Sequence, residues 1–430
     1  MSKRKILILG SDYGTLDLVK EAHKMGLYVV VSDTMETSPT KREADEAWLI
    51  STTELDILEK KCREEGISAI TFGASDFNIN NGRQLCKRLG LPVYCESDRA
   101  WEVACNKSEF KKICKEVGAP IAKDYYLTDA LSREELDKIV YPVVVKPVDK
   151  SGNRGMSYCY NEEELIKAYH YARSVSDNST IVVERMLKGP EFAVNYVMAD
   201  GEIRLLYFSS EHHQPGQLAN LYMVINTTSC HLKQYIEEVS DYVKAAFKKA
   251  GCKEGMAWVE CMLDQDGHFY LLEMGYRFGG EMTYIPYDRV CGFNAVKWML
   301  EVALGVKHTK EDLPEDLNKC YIGTAASYYM FTTCEGVIGE IEGLEEIEAM
   351  ENVVVDFPKR VGNSVRYHAA LGIIRIHGHN CEELCETIEK INKILKIRDK
   401  AGNDMFIYYD DVDSIRQEFA QGMREFGLNA

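Results

Sequence analysis

Apolar runs and amphipathic segments alternate through the first hundred residues. Short apolar runs with the composition of buried strands lie at residues 5–9, 69–72 and 91–95. Segments with the apolar spacing of a helix lie at residues 15–24, 54–65 and 77–89. Alternation of strands and helices is typical of a parallel sheet covered by helices on both faces. We therefore predict a Rossmann-like domain with a parallel sheet over residues 1–97.

Beyond residue 97 the pattern changes to helices followed by strands that are joined through turns. Strand-like runs lie at residues 141–147, 180–187, 191–197 and 202–207, and helical segments lie at 232–250 and 382–395. We predict a multidomain α/β and α+β fold. Its expected parts are a central domain over residues 98–306, with a small lid over about 121–187, and a C-terminal α+β domain over 320–430.

Two buried strands joined by an Asp-Gln-Asp-Gly turn stand out in the second half of the central region. Trp258–Leu263 and Phe269–Met274 are largely apolar, yet each contains one acid, Glu260 or Glu273. A carboxylate inside an apolar strand is costly unless it is paired or coordinates a cation. On these residues alone, a divalent metal site and a buried ion pair between Glu273 and Arg277 are equally good interpretations.

The net charge makes individual lysines informative. A formal charge of −17 disfavours binding to nucleic acid, so we expect no such partner. Lys146 interrupts an apolar run, and a loop that contains Ser151, Gly152 and Gly155 follows it. The backbone amides of such a loop can surround an anion, so the pattern favours phosphate binding over an ordinary hairpin loop. Lys107, taken by itself, is typical of a solvated surface.

Other positions suit a ligand site and a structural role alike. For the glycine turn at residues 10–14 and for Asp33 we favour a tight strand-to-helix turn over a nucleotide site. The Gly73–Asp76 loop follows a strand, where ligands of α/β sheets bind, but it also suits a helix N-cap. Adjacent His212 and His213 are compatible with substrate or metal binding, although neighbouring side chains of a strand face opposite sides.

Cysteine usage and hydropathy bear on the compartment. The 14 cysteines are scattered without a Cys-x-x-Cys pair, so we expect reduced thiols and a cytoplasmic protein. No run of about 18 uncharged apolar residues is present, so we expect no membrane span. The apolar run after the basic N-terminus is too short for a signal peptide.

Taken together, these motifs resemble the ATP-grasp superfamily, in the order found in carboxylate-amine ligases and biotin carboxylase-like enzymes. The matching elements are the N-terminal α/β region, Asn106-Lys107, the Val-Val-Val-Lys146-Pro strand with its glycine loop, Glu184-Arg-Met-Leu, Glu191, Glu260 and Glu273. The spacings from Glu184 to Glu191 and from Glu260 to Glu273 fit this family. The resemblance covers nearly the whole chain and implies an ATP-grasp fold for the central domain.

The resemblance also implies cofactors and roles. ATP and Mg²⁺ or Mn²⁺ are the expected cofactors. The implied phosphate contacts are Lys107, Lys146 and a closing loop with Ser151, Gly152, Gly155 and Met156. Adenine and ribose would be held by Glu184, Arg185, Met186, Leu187 and Glu191. Glu260 and Glu273 would ligate the metal, and Arg277, with Lys146, would act in catalysis. Gly279, Gly280, His212 and His213 are the expected substrate contacts.

The implied activity is that of an ADP-forming ligase that phosphorylates a small carboxylate and joins it to an amine, with a homodimer as the expected assembly. Two alternatives stay open: a bicarbonate-phosphorylating carboxylase or carbamoyl-phosphate-type enzyme, and a non-catalytic nucleotide-binding protein. One position departs from the family pattern. Gly275 stands where an asparagine usually follows the second metal acid, which weakens the expectation of two metal ions.

Overall fold

The computed structural model describes residues 3–11, 13–148, 154–177, 179–214, 221–280, 282, 284, 292–315 and 323–428. In this part of the chain a parallel sheet is followed by antiparallel sheets with interspersed helices, which confirms the predicted α/β and α+β fold. None of the helices described has both the length and the apolar character that crossing a membrane requires.

The N-terminal region is built on a parallel sheet with the strand order β3-β2-β1-β4. Its strands are β1 Lys5–Leu9, β2 Tyr28–Ser32, β3 Glu46–Trp48 and β4 Ile67–Phe72. Its helices are α1 Tyr13–Lys24, α2 Pro39–Glu43, α3 Leu55–Glu65 and α4 Asp76–Leu89. Strands β1 and β2 are almost wholly buried, as the central strands of a parallel sheet are. The predicted Rossmann-like sheet is confirmed.

The carboxylate of Asp33, which follows β2, contacts residues of the same region. Its carboxylate lies 2.8 Å from the Nζ atom of Lys41 and accepts a hydrogen bond from the backbone of Met35 at 2.7 Å. The Lys41 side chain is itself buried. These contacts give Asp33 a structural role at the strand end and support the structural interpretation of this turn.

Two helices, α5 Asp98–Cys105 and α6 Lys107–Val117, follow the parallel sheet. Asn106 ends the first helix and caps the second, because its side chain accepts hydrogen bonds from the backbone of Ser108 and Glu109. Helix α6 contacts strand β13, Phe269–Gly275. The cap therefore places Lys107 in the first turn of a helix that lies against the acidic hairpin, our name for the two paired strands over residues 255–263 and 269–275.

A small antiparallel sheet with the strand order β5-β8-β6-β7 lies within the predicted lid. Its strands are β5 Asp124–Tyr125, β6 Val143–Pro147, β7 Ser157–Cys159 and β8 Ile181–Arg185, and its helices are α7 Arg133–Leu136 and α8 Glu162–Val175. The apolar side chains of this sheet and of α8 form a core of their own. We call this unit the small sheet.

An eight-stranded antiparallel sheet, with the order β13-β12-β9-β10-β11-β14-β18-β16, forms the centre of the molecule. Its first strands are β9 Glu191–Ala199, β10 Glu202–His213, β11 Leu221–Asn226, β12 Gly255–Leu263 and β13. The accompanying helices are α9 Leu232–Tyr235, a π-helical turn Ile236–Ser240, α10 Asp241–Ala250 and α11 Ala295–Ala303. Because β11 pairs with β14, this sheet continues across the predicted boundary between the central and C-terminal domains.

The C-terminal region completes the large sheet and adds a three-stranded one, with the order β17-β15-β19. Its strands are β14 Thr324–Phe331, β15 Gly336–Glu342, β16 Val353–Asp356, β17 Ser364–Val365, β18 Ala370–Gly378 and β19 Lys396–Asp399. Its helices are α12 Leu344–Glu348, α13 Cys381–Ile394 and α14 Val412–Glu425. Helix α14 was not predicted, although its buried residues Val412, Ile415, Phe419 and Met423 have helical spacing.

Candidate active site

The acidic hairpin brings its two glutamates directly opposite each other. In the antiparallel ladder of β12 and β13, Glu260 is the register partner of Glu273. Both side chains are half-buried. Directly opposed carboxylates repel each other unless a positive charge lies between or beside them. The arrangement therefore requires cations, either from the protein or from a bound metal.

The protein supplies one of these cations from helix α6. The Nζ atom of Lys107 forms an ion pair with the carboxylate of Glu273. Partial burial opposes the charge on Lys107, but the negative charges of Glu273, Glu260 and Glu184 outweigh that effect and raise its pKa. The interpretation in which Glu273 pairs with Arg277 is wrong, because Arg277 pairs with Asp76.

A second cluster of charges lies where the small sheet faces helix α6. The carboxylate of Glu184 is 6% exposed and forms ion pairs with Lys146 and with Lys111. Lys111 also contacts Asp124, with 2.5 Å between Nζ and Oδ1. Burial alone would raise the pKa of Glu184, but the charges of Lys146 and Lys111 lower it to about 2. Glu184 is thus an ionised, fully paired group that holds two lysines.

Lys111 and Asp124 were missed by the sequence interpretation. Lys111 lies one helical turn after Lys107 on α6, and Lys115, one turn further, contacts the same Asp124 at 2.9 Å. Lysines four residues apart share one face of a helix. That spacing was the available signal: it indicates a lysine-rich face of α6, but not what the face contacts.

The segment predicted to hold adenine is fixed at the end of β8 by the turn of the acidic hairpin. The guanidinium of Arg185 forms ion pairs with Asp264 and, at 3.1 Å, with Asp266. The Asp264 carboxylate also accepts a hydrogen bond from the backbone of Lys188 at 2.8 Å. Backbone N–H groups of Arg185 and Met186 donate hydrogen bonds to the carbonyls of Lys123 and Pro142. These contacts join the small sheet to the hairpin.

Glu191 lies at the start of β9 and joins a group with two other residues. Its register partner on β10 is Glu211, and the Nε2 atom of His213 lies 3.1 Å from its carboxylate. Single ligand atoms of the three side chains lie within 4.8 Å of one another. The group could hold a cation, and it equally offers oxygens and an imidazole to the hydroxyls of a sugar.

The two histidines are separated by the alternation of strand β10, which runs on to His213 where a turn-rich segment was predicted. The Nδ1 atom of His212 lies 2.9 Å from the hydroxyl of Tyr409 in the C-terminal region. Burial lowers the pKa of His212. His213 faces Glu191 instead, so of the two only His213 lies beside another predicted ligand-binding residue.

The remaining predicted positions are described in part. Ser151 and Gly152 lie outside the described residues. Gly155 has a φ of +83°, and a Cβ there would lie 2.5 Å from Val175, so the end of the loop requires glycine. Met156, which follows it, is half-buried. After β13, the carbonyl of Gly280 accepts a hydrogen bond from Tyr329 at 3.3 Å, which places Gly279 and Gly280 beside β14.

Arg277 joins the hairpin to the N-terminal region. Its Nε atom donates to the carboxylate of Asp76 at 2.6 Å, and its guanidinium carbon lies 5.0 Å from the ring centre of Trp258. Asp76 begins α4, and Ser75 caps that helix by accepting a hydrogen bond from Asn78. The Gly73–Asp76 loop therefore serves as a helix cap, and through Asp76 it contacts the arginine that follows β13; its place at the edge of a substrate site stays a prediction.

Part of this site lies in a segment that matches a known family. Residues 139–284 match the family model of the ATP-grasp domain. This range contains the small sheet from β6 onward, the hairpin, Lys146, Glu184, Glu260 and Glu273, but it excludes helix α6 and Lys107.

Individual relatives are distant in sequence and similar in fold. The 2-oxoglutarate carboxylase small subunit of Hydrogenobacter thermophilus is 24% identical over 361 residues, which is 76% of this chain and 76% of that protein. The biotin carboxylase domain of the 2-oxoglutarate carboxylase from the same organism, solved as a dimer with MgADP, ADP and bicarbonate, superimposes with a TM-score of 0.76 at 18% identity, over 99% of this chain and 98% of that one. An L-amino acid ligase from Bacillus licheniformis has a TM-score of 0.74 at 21% identity, over 95% of this chain and 100% of the other.

Proposed function

Because the chain carries an ATP-grasp domain of the kind found in ATP-dependent ligases that form C–N bonds, we propose that it is an ADP-forming ligase for small molecules. Its reaction is the phosphorylation of a carboxylate by ATP, followed by attack of an amine on the acyl-phosphate. The observation that carries this proposal is the register of Glu260 and Glu273 beside Lys107. Two opposed acids with a displaceable lysine suit a site that exchanges one cation for another.

Glu260 and Glu273 fit Mg²⁺ or Mn²⁺, because both offer hard carboxylate oxygens from rigid strands. When bound, such an ion neutralises phosphate charge and acts as a Lewis acid toward the transferred phosphoryl group. Lys107 would then be released from Glu273 toward the phosphates of ATP. Lys146 lies on β6 next to the glycine loop, and its charge is held in place by Glu184 until an anion arrives.

The other residues of the site have proposed roles in holding the nucleotide and the substrate. The β8 end at Arg185, Met186 and Leu187, held by the hairpin turn, would receive the adenine. Glu191 would accept hydrogen bonds from the ribose, with His213 beside it. The guanidinium of Arg277 would stabilise the charge of the transferred phosphoryl group and of the acyl-phosphate. Gly279 and Gly280 would leave room for the carboxylate substrate.

A bicarbonate-phosphorylating carboxylase is the second candidate, and the similarity in fold to the biotin carboxylase domain favours it. The two readings differ in the phosphate acceptor and in the need for an amine. Bicarbonate that stimulates ADP release without any amine would favour the carboxylase. ATP binding without stimulation by any pool of carboxylates would favour the non-catalytic alternative.

The test is ADP release from ATP and Mg²⁺ in the presence of pooled amino acids and other small carboxylates. We expect at least one pool to stimulate release, and Glu273→Ala to lower the stimulated rate by at least about 100-fold, the size of effect seen when a main electrostatic contact is lost. Glu237→Ala, at an exposed helix position, is the control and should retain the rate. Stimulation that survives in Glu273→Ala contradicts the proposal.

We also place the protein in the cytoplasm and expect a homodimer. Every cysteine in the described ranges is a free thiol, which suits a reducing compartment. The solved biotin carboxylase domain that shares this fold is a dimer. Size-exclusion chromatography with light scattering measures the assembly directly.

A further inference from the structure

Trp258 occupies the space in which a side chain at position 275 would stand. Trp258 and Gly275 are register partners in the hairpin, two residues from Glu260 and Glu273 respectively. A Cβ atom on Gly275 would lie 2.5 Å from the indole Nε1 atom and closer still to the ring atoms Cε2 and Cζ2. Any residue other than glycine therefore requires the indole to move.

The requirement is one of space and not of backbone conformation. Gly275 is not among the described residues with positive φ, so its backbone would accept other residues. The side chain of Trp258 is 6% exposed, and its Nε1–H group has no hydrogen-bond partner among the described residues. A donor buried in this way carries a cost, which indicates that the ring is held by packing.

The indole of Trp258 also contacts a cation, the guanidinium of Arg277. The guanidinium of Arg277 lies 5.0 Å from the ring centre, within the range of a cation–π interaction. Asp76 holds the same guanidinium from the other side of the cleft, at 2.6 Å. Trp258 thus excludes a ligand side chain at position 275 and at the same time holds a positive charge at the hairpin that carries the two acids.

We propose that the Trp258–Gly275 pair limits this site to one divalent cation per ATP, with Arg277, held on the indole, supplying the second positive charge. The proposal rests on the proposed function, because it concerns the metal site assigned there to Glu260 and Glu273. The two acids fit one ion, whereas an amide side chain at position 275, where the family that the motifs resemble usually has an asparagine, has no room.

The first measurement is the stoichiometry of Mn²⁺ bound to the full chain with a non-hydrolysable ATP analogue, by calorimetry and by electron paramagnetic resonance. We expect one Mn²⁺ per chain in the wild type. In the double variant Trp258→Ala/Gly275→Asn, which has both the space and the amide ligand, we expect two. Trp258→Ala alone, which has the space without the ligand, should still bind one.

The second measurement keeps the proposal testable if the double variant folds poorly. Gly275→Ala should lower the melting temperature clearly in the wild-type background and much less in the Trp258→Ala background, because the indole is then absent. Equal destabilisation in both backgrounds contradicts the spatial argument. Two Mn²⁺ ions in the wild type, or one in a folded double variant, overturn the proposal but leave the ligase function standing. No Mn²⁺ binding at all overturns the metal assignment on which both depend.

Discussion

The candidate site contains two glutamates that pair with lysines, and the two differ in burial and in the number of lysines bound. Glu184, on the small sheet, is 8% exposed at its side chain and pairs with two lysines at once. Glu273, on the hairpin, is 23% exposed at its side chain and pairs with Lys107, which is half-exposed. Breaking a buried pair leaves an uncompensated charge, whereas a half-exposed pair exchanges partners at little cost. Under the proposed function, Glu184 would hold the lysines in place and Glu273 would exchange its lysine for a metal ion.

Replacement of Glu184 is the most damaging change that this comparison predicts. Glu184→Gln leaves Lys146 and Lys111 without their shared counter-ion in a buried place. We expect the free energy of unfolding to fall by about 3–5 kcal/mol, the usual cost of removing one partner of a buried ion pair. Glu273→Gln should change it by less than about 1 kcal/mol. Urea unfolding of both variants measures the difference, and equal losses would remove the distinction between the two glutamates.

The pH dependence of stability should separate Glu184→Gln from the wild type. The charges of Lys146 and Lys111 outweigh the effect of burial and lower the folded-state pKa of Glu184 from its ordinary value of 4.5 to about 2. A group with a depressed folded pKa stabilises the fold above its unfolded pKa, and that contribution is lost as the pH falls from about 4.5 toward about 2. The wild type should therefore lose about 3 kcal/mol more than Glu184→Gln across this window. Identical acid-unfolding curves would contradict the assignment.

The contrast between the two pairs was only half visible in the sequence. Glu260, Glu273 and Lys146 were found because a charge inside an apolar strand is conspicuous. Lys111, the second partner of Glu184, and Asp124, which contacts Lys111, were not found, because they lie on a helix and on a two-residue strand far from Glu184 along the chain. Contacts between distant segments depend on the packing of the small sheet against α6, which no local pattern specifies.

Gly275 is a second position that could not be explained from the sequence alone. The sequence revealed that an expected asparagine was absent but gave no reason for it. The reason lies in the neighbouring strand, where the register places the indole of Trp258 against Gly275. The parallel sheet and the acidic hairpin were predicted from periodicity and turn residues, whereas the final helix α14 was missed and β10 proved longer than its polar composition suggested.

Lys146 and Lys111 sharpen the comparison, because they share one carboxylate but differ in position. Lys146 is 24% exposed beside the glycine loop, whereas Lys111 is buried between Glu184 and Asp124. Lys146→Ala should weaken the binding of an ATP analogue by about 10- to 100-fold, or about 1.4–2.8 kcal/mol, with the fold retained. Lys111→Ala should mainly lower stability. Calorimetric titration and thermal unfolding of each variant test this, and an unchanged affinity in Lys146→Ala would refute its role at the phosphates.

Asp76 and Arg277 form a third ion pair for this comparison, and the side chain of its acid is 55% exposed. Asp76→Asn keeps the size of the side chain but removes the charge that holds the guanidinium at 2.6 Å, so Arg277 remains on the indole of Trp258 with one restraint fewer. Because the partner of Asp76 is Arg277 and not one of the proposed nucleotide-binding residues that the structure describes, we expect kcat to fall by about 10-fold, or about 1.4 kcal/mol, with the affinity for ATP unchanged. Asp56→Asn is the matched control, since Asp56 forms an exposed pair with Arg88 at the same distance of 2.6 Å, away from the cleft. Steady-state kinetics with the stimulating carboxylate measure both variants. If Asp76→Asn behaves like Asp56→Asn, the pair is a surface contact, and exposure alone, not position in the cleft, decides what an ion pair does in this protein.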